Sequence, residues 1–103
     1  MITEQKLAEL RLEYPNGAAF SKGPVEIYCR KPNRGERLAF LENATSKRPA
    51  LSLEKLVRAI CVFPEREELD RLYDDEGFIL DEVSGEVMDW LRGGNDAVTV
   101  KKF

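Results

Sequence analysis

Residues 53–72 read LEKLVRAICVFPEREELDRL, and the architecture turns on this stretch. Leu53, Leu56, Val57, Ile60 and Cys61 fall at i, i+3, i+4, i+7 and i+8. That spacing draws one apolar stripe down a helix. Pro64 ends the pattern, because proline disfavours helical backbone in the residue before it yet suits the first turn of a new helix. Glu65, Glu67 and Glu68 then place negative charge where a helix dipole favours it. Leu69, Leu72 and Tyr73 continue the second helix. The expectation is two helices meeting at a corner, with Val62 and Phe63 tucked into it and the rest of the chain packed on this unit.

Working outward toward the N-terminus, Ile2 to Leu12 predicts a short helix capped by Thr3, with too little apolar surface to be stable alone. Tyr14-Pro15-Asn16-Gly17 is a turn. A short strand is expected around Phe20, and Lys22-Gly23-Pro24 turns the chain. From Val25 to Arg30 the residues alternate, with Val25, Ile27 and Cys29 on one side and Glu26, Tyr28 and Arg30 on the other. This is the clearest strand signal in the chain. A lone hairpin is marginal, so it must lean on a helix. Pro32 ends the strand, Asn33 caps a helix, and Glu36 stands where a capping box needs it. That helix carries Leu38, Phe40 and Leu41 and fades near Asn43. Residues 44–50 read as an exposed linker, with Ser52 as the cap of the central helix.

Toward the C-terminus, Gly77 is expected to close a helix in the left-handed conformation. A final helix runs from about Phe78 to Leu91, with Ile79, Val83, Val87, Trp90 and Leu91 on one broad face. Gly85 lies inside it as a candidate point of close helix approach. Gly93-Gly94-Asn95 stops it. The fold class is therefore α+β: a mostly helical small domain of four to five helices with one short β-hairpin. It is expected to occupy residues 1–92, with 93–103 as a flexible tail.

The totals narrow the function. The 103 residues carry a formal net charge of −3 and no histidine. An acidic chain lacks the basic footprint of a nucleic-acid binder, although Arg30, Lys31, Arg34 and Arg37 cluster locally. The opening MITEQKLAEL lacks the apolar core of a signal peptide, and no stretch is long enough to span a membrane, so a cytoplasmic protein is expected. Cys29 and Cys61 sit in apolar segments and are expected as reduced, packed thiols. Without histidine the commonest general base and metal ligand is missing. There is no phosphate-binding loop, and Asp74-Asp75-Glu76 lacks the ligand spacing of a calcium loop. No catalytic, cofactor or metal residue is expected, and the chain is not expected to be an enzyme.

Three segments, in order, resemble the small tail assembly chaperones of long-tailed bacteriophages and prophages. They are Ile27-Tyr28-Cys29-Arg30-Lys31-Pro32-Asn33-Arg34-Gly35-Glu36, then Leu56-Val57 with Cys61-Val62-Phe63-Pro64 and Glu67-Glu68-Leu69, then the Gly77 turn into the final helix. The likeness covers about residues 20 to 92. It departs at Phe63, where the family has tyrosine, and at Glu76, where proline often precedes the glycine. The resemblance implies a non-enzymatic protein of the host cytoplasm that binds the tape measure protein and helps recruit tail tube subunits. It also implies absence from the finished virion and, in many such phages, a frameshifted longer form, for which Gly93-Gly94 would suit a hinge. A homo-oligomer is compatible with it. The alternative is a structural tail-completion or connector subunit, with 98–103 as an assembly arm. Phe78, Val87 and Trp90 on the final helix are the candidate partner-binding residues, set against the plainer reading that this helix closes the core.

Overall fold

The computed structural model describes residues 2–44 and 49–93. The expected tail from residue 94 on, including the 98–103 arm, lies outside the described residues, as does most of the expected linker.

The chain is a small α+β domain with five helices and a three-stranded antiparallel sheet among the described residues. Helix α1 (Glu4–Glu13) starts at Thr3, whose hydroxyl accepts the Lys6 N–H at 3.1 Å. Strands β1 (Ala18–Lys22) and β2 (Val25–Cys29) form the hairpin. Gly23, at φ +56°, takes the first position of its two-residue loop, a conformation that glycine adopts without steric cost. Helix α2 (Arg34–Ala44) precedes α3 (Pro49–Ile60). Then come β3 (Cys61–Phe63), α4 (Arg66–Asp75) and α5 (Gly77–Leu91).

The corner after the central helix differs from the expectation. Cys61, Val62 and Phe63 leave the helix and form β3, which pairs with β2 and makes β2 the middle strand. Tyr28 faces Phe63 and Cys29 faces Cys61, so Val62 is an extra residue on β3. Such a bulge bends its strand, which suits a chain changing direction between two helices. Pro64 follows as the breaker that the pattern implied. Arg58 ties the corner together by bonding Glu54 on its own helix at 2.9 Å and Asp70 on α4.

The core lies on one face of the sheet. Phe20, Val25, Ile27 and Cys29 point from the strands toward Leu56, Val57 and Ile60 of α3, Leu69 and Leu72 of α4, and Leu80, Val83, Val87 and Trp90 of α5. The other face is covered near Tyr28, a residue that alternation alone assigns to solvent. Tyr28 is buried, and its hydroxyl donates to the Tyr14 carbonyl at 2.8 Å. Gly17 must stay small beside it, since a Cβ there would stand 2.5 Å from the Cys29 carbonyl oxygen.

Three local expectations are corrected. Ser52 is not the cap of the central helix, because α3 begins at Pro49 and Ser52 is buried within it. Gly77 is not left-handed: the positive-φ glycines among the described residues are Gly23 and Gly93. The break falls on Glu76 instead, whose N–H closes α4 on Leu72 and whose carbonyl opens α5 to Leu80. Gly85 does not mediate a close approach, since a Cβ added there would meet nothing within 4 Å.

Candidate partner-binding groove

The placement of α2 begins with Arg30. Its guanidinium makes a bidentate pair with Glu36 at 2.8 and 2.7 Å and also donates to the Ala59 carbonyl at 3.0 Å. Glu36 accepts the Asn33 N–H at 2.9 Å while the Asn33 side chain accepts the Glu36 N–H at 2.8 Å. The predicted capping box is therefore present, and it is fused to an ion pair that reaches the end of α3. The Arg30 guanidinium holds the Glu36 carboxyl below its ordinary value, with the Asn33 N–H assisting against partial burial. Planar bidentate pairing fixes direction as well as distance. So α2 is oriented from its first turn.

That orientation leaves an apolar edge open. Leu38 is 42% exposed and Leu41 50%. Between α2, α3 and the end of α5 runs a groove of about 460 Å³ with Pro32, Phe40, Leu41, Leu56, Met88 and Leu91 as its apolar walls. Lys31, Arg37 and Arg92 also line it, and among the described residues no carboxylate does. Lys31 Nζ stands 4.3 Å from the Trp90 ring centre, a cation–π contact that keeps this charge beside the groove. An apolar trough with a basic rim can accept an apolar stripe flanked by acidic side chains.

The three residues singled out on the final helix are not brought together. Phe78 is 89% exposed near the start of α5. Val87 is fully buried, and Trp90 is 6% exposed, with its ring edge-on to Phe20 at 5.5 Å. Val87 and Trp90 thus close the core, and Phe78 stands apart from them. The residues that do line a groove, Phe40 and Leu41, were legible only as members of a helix. Their signal was Leu38 and Leu41 at i, i+3 beside Arg34 and Arg37, an apolar edge next to a basic one. The basic cluster divides in the structure: Arg30 works as a clamp, while Lys31 and Arg37 meet Arg92 from the far end of the chain.

Among the described residues no group of three or more His, Cys, Asp or Glu side chains is placed to hold a metal ion. Also among them, no helix is long and apolar enough to cross a membrane. The class that the fold defines is a small α+β domain. No protein-family model matches the chain, nor does any curated protein or solved structure.

Proposed function

We propose that this protein is a non-enzymatic tail assembly chaperone of a phage or prophage, and that the groove between α2 and α5 receives an amphipathic helix of the tape measure protein. The observation that supports this most directly is the open apolar trough lined by Phe40, Leu41, Met88 and Leu91 and rimmed by three cations. A long helical partner with apolar stripes aggregates unless those stripes are covered. A groove of this kind covers one stripe while its cations meet the acidic residues beside it. Recruitment of tail tube subunits belongs to the same proposal, as do action in the host cytoplasm and departure before the virion is complete.

The test is co-expression of the tagged protein with a tape measure protein in bacterial cytoplasm. The expected result is a soluble partner that co-elutes with the wild type. With Leu41→Lys it should be lost to the pellet, because a charge set in the apolar wall opposes docking. If the partner stays insoluble beside the wild type, and the protein is instead found in purified particles, the tail-completion or connector reading replaces this one.

A further inference from the structure

We propose that Cys29 and Cys61 are a reversible dithiol switch, closing to a disulfide by exchange with a small-molecule disulfide such as glutathione disulfide, with Cys61 as the attacking thiol. The two residues are distant in sequence but face each other across β2 and β3. The Arg30 N–H donates to the Ile60 carbonyl at 3.0 Å, a bond that flanks the Cys29–Cys61 pair and does not join its two residues. Antiparallel ladders alternate, which makes Cys29 and Cys61 a non-hydrogen-bonded pair. At such a pair the Cα atoms approach to about 4.5 Å and the side chains lie closest. That separation falls within the range a disulfide bridges without moving the backbone.

The two thiols are unequal. Cys29 is fully buried in the core, whereas Cys61 is half-buried and lines an open hollow of about 460 Å³. Lys55, Arg58 and Arg66 line the same hollow, which among the described residues shares no lining residue with the α2–α5 groove. An anionic disulfide such as oxidised glutathione meets cations on its way to Cys61. The Cys61 thiol, which donates to the Phe63 carbonyl at 3.0 Å, is the accessible one, with Cys29 behind it. The electrostatics agree with this order: the Cys29 side chain beside it holds Cys61 below the ordinary thiol range, while the Cys61 side chain and burial push Cys29 well above it.

The chemistry balances in two exchanges. Cys61 loses its proton to solvent, and its thiolate attacks one sulfur of the glutathione disulfide. A Cys61–glutathione bond forms and one glutathione thiolate leaves. Cys29 then gives up its proton, attacks the Cys61 sulfur and expels the second glutathione thiolate. Both thiolates take up protons, so two cysteine thiols are oxidised and one glutathione disulfide is reduced to two thiols. The product staples the corner strand to the middle strand, and excess reduced glutathione reverses it.

The experiment treats the native reduced chain with glutathione disulfide, quenches with acid, and reads intact mass and a non-reducing peptide map. The expected product has lost two hydrogens and yields a peptide pair joining Cys29 to Cys61. In mixed glutathione buffers the native pair should be half-oxidised at a ratio of reduced squared to oxidised glutathione at least ~10-fold higher than the chain in guanidinium, because positioned thiols exceed the effective concentration of a flexible loop. Cys29→Ser should retain glutathione on Cys61. Recovery of two free thiols, arrest of the wild type at the mixed disulfide, dimers linked through Cys61, or equal ratios in native and unfolded chains would each overturn the proposal. The wild-type measurements stand by themselves if the core variant does not fold.

Discussion

Helices α2 and α3 are neighbours in sequence, pack on each other, and have nearly equal lengths of 11 and 12 residues, yet they are held in opposite ways. α3 is held by its side: Leu56, Val57 and Ile60 are buried against the sheet and α5. α2 is held chiefly by its end, through the Arg30–Glu36–Asn33 clamp: Phe40 packs against the core while only half-buried, and Leu38 and Leu41 stay exposed. A side-held helix must commit its apolar face to the core. An end-held helix is free to show part of that face to something else. The contrast explains how so small a domain can have both a closed core and an open groove.

The largest effect should come from breaking the side-held helix. Ile60→Ala removes fully buried methyl groups and is expected to cost about 2–5 kcal/mol in urea unfolding. Leu41→Ala on α2 should cost far less, and equal costs would abolish the comparison. Next in size is the clamp. Glu36→Gln should cost about 1–2 kcal/mol at neutral pH, since the pair is charge-assisted but partly open to solvent. The folded-state pKa of Glu36 is depressed from 4.5, so its contribution is fully present above that value. It is lost as pH falls through the lower folded value. Unfolding followed from pH 7 downward should therefore show a steeper acid loss in the wild type than in Glu36→Gln.

A smaller effect of opposite sign is expected at the corner. The Tyr73 hydroxyl is buried with no hydrogen-bond partner among the described residues, and burial pushes its pKa up to about 12. Ser84 is its polar neighbour but stands outside hydrogen-bond geometry, and Arg58 lies over the ring at 4.4 Å. Tyr73→Phe keeps the ring and deletes the unsatisfied group. It should raise stability by up to about 1 kcal/mol in the same assay. The smallest change belongs to the open edge. Leu41→Lys should move stability by no more than about 0.5 kcal/mol while weakening capture of an amphipathic helix by at least ~10-fold. Stability can be read from urea curves and capture from co-elution, so a loss of both would show that the edge of α2 serves the core after all.

Much of the local structure was legible in the chain. Thr3, Asn33 and Glu36 act as caps where their spacing places them, because a cap involves backbone groups only a few residues away. The alternation in Val25 to Cys29 fixed which strand face is buried, and the stripe in 53–61 fixed which face of α3 meets the sheet. The errors fall where one signal serves two structures. Cys61 continues a helical stripe but belongs to a strand, because the open edge of β2 offers its backbone hydrogen bonds that the helix end cannot. Gly77 has the sequence of a helix stop, yet Glu76 makes the break and leaves Gly77 free to begin α5.

The sequence by itself determined the helices, the hairpin, the caps at Thr3 and Asn33 and the α+β class, because these depend on periodicity and on hydrogen bonds between near neighbours. Only the tertiary structure decided that Trp90 faces the core while Phe78 does not, that Leu41 remains at the surface, and that Cys29 meets Cys61. The reason is that an apolar side chain in an amphipathic helix states only that it should be covered. What covers it, or whether anything in the same chain does, depends on how many faces compete for one small core.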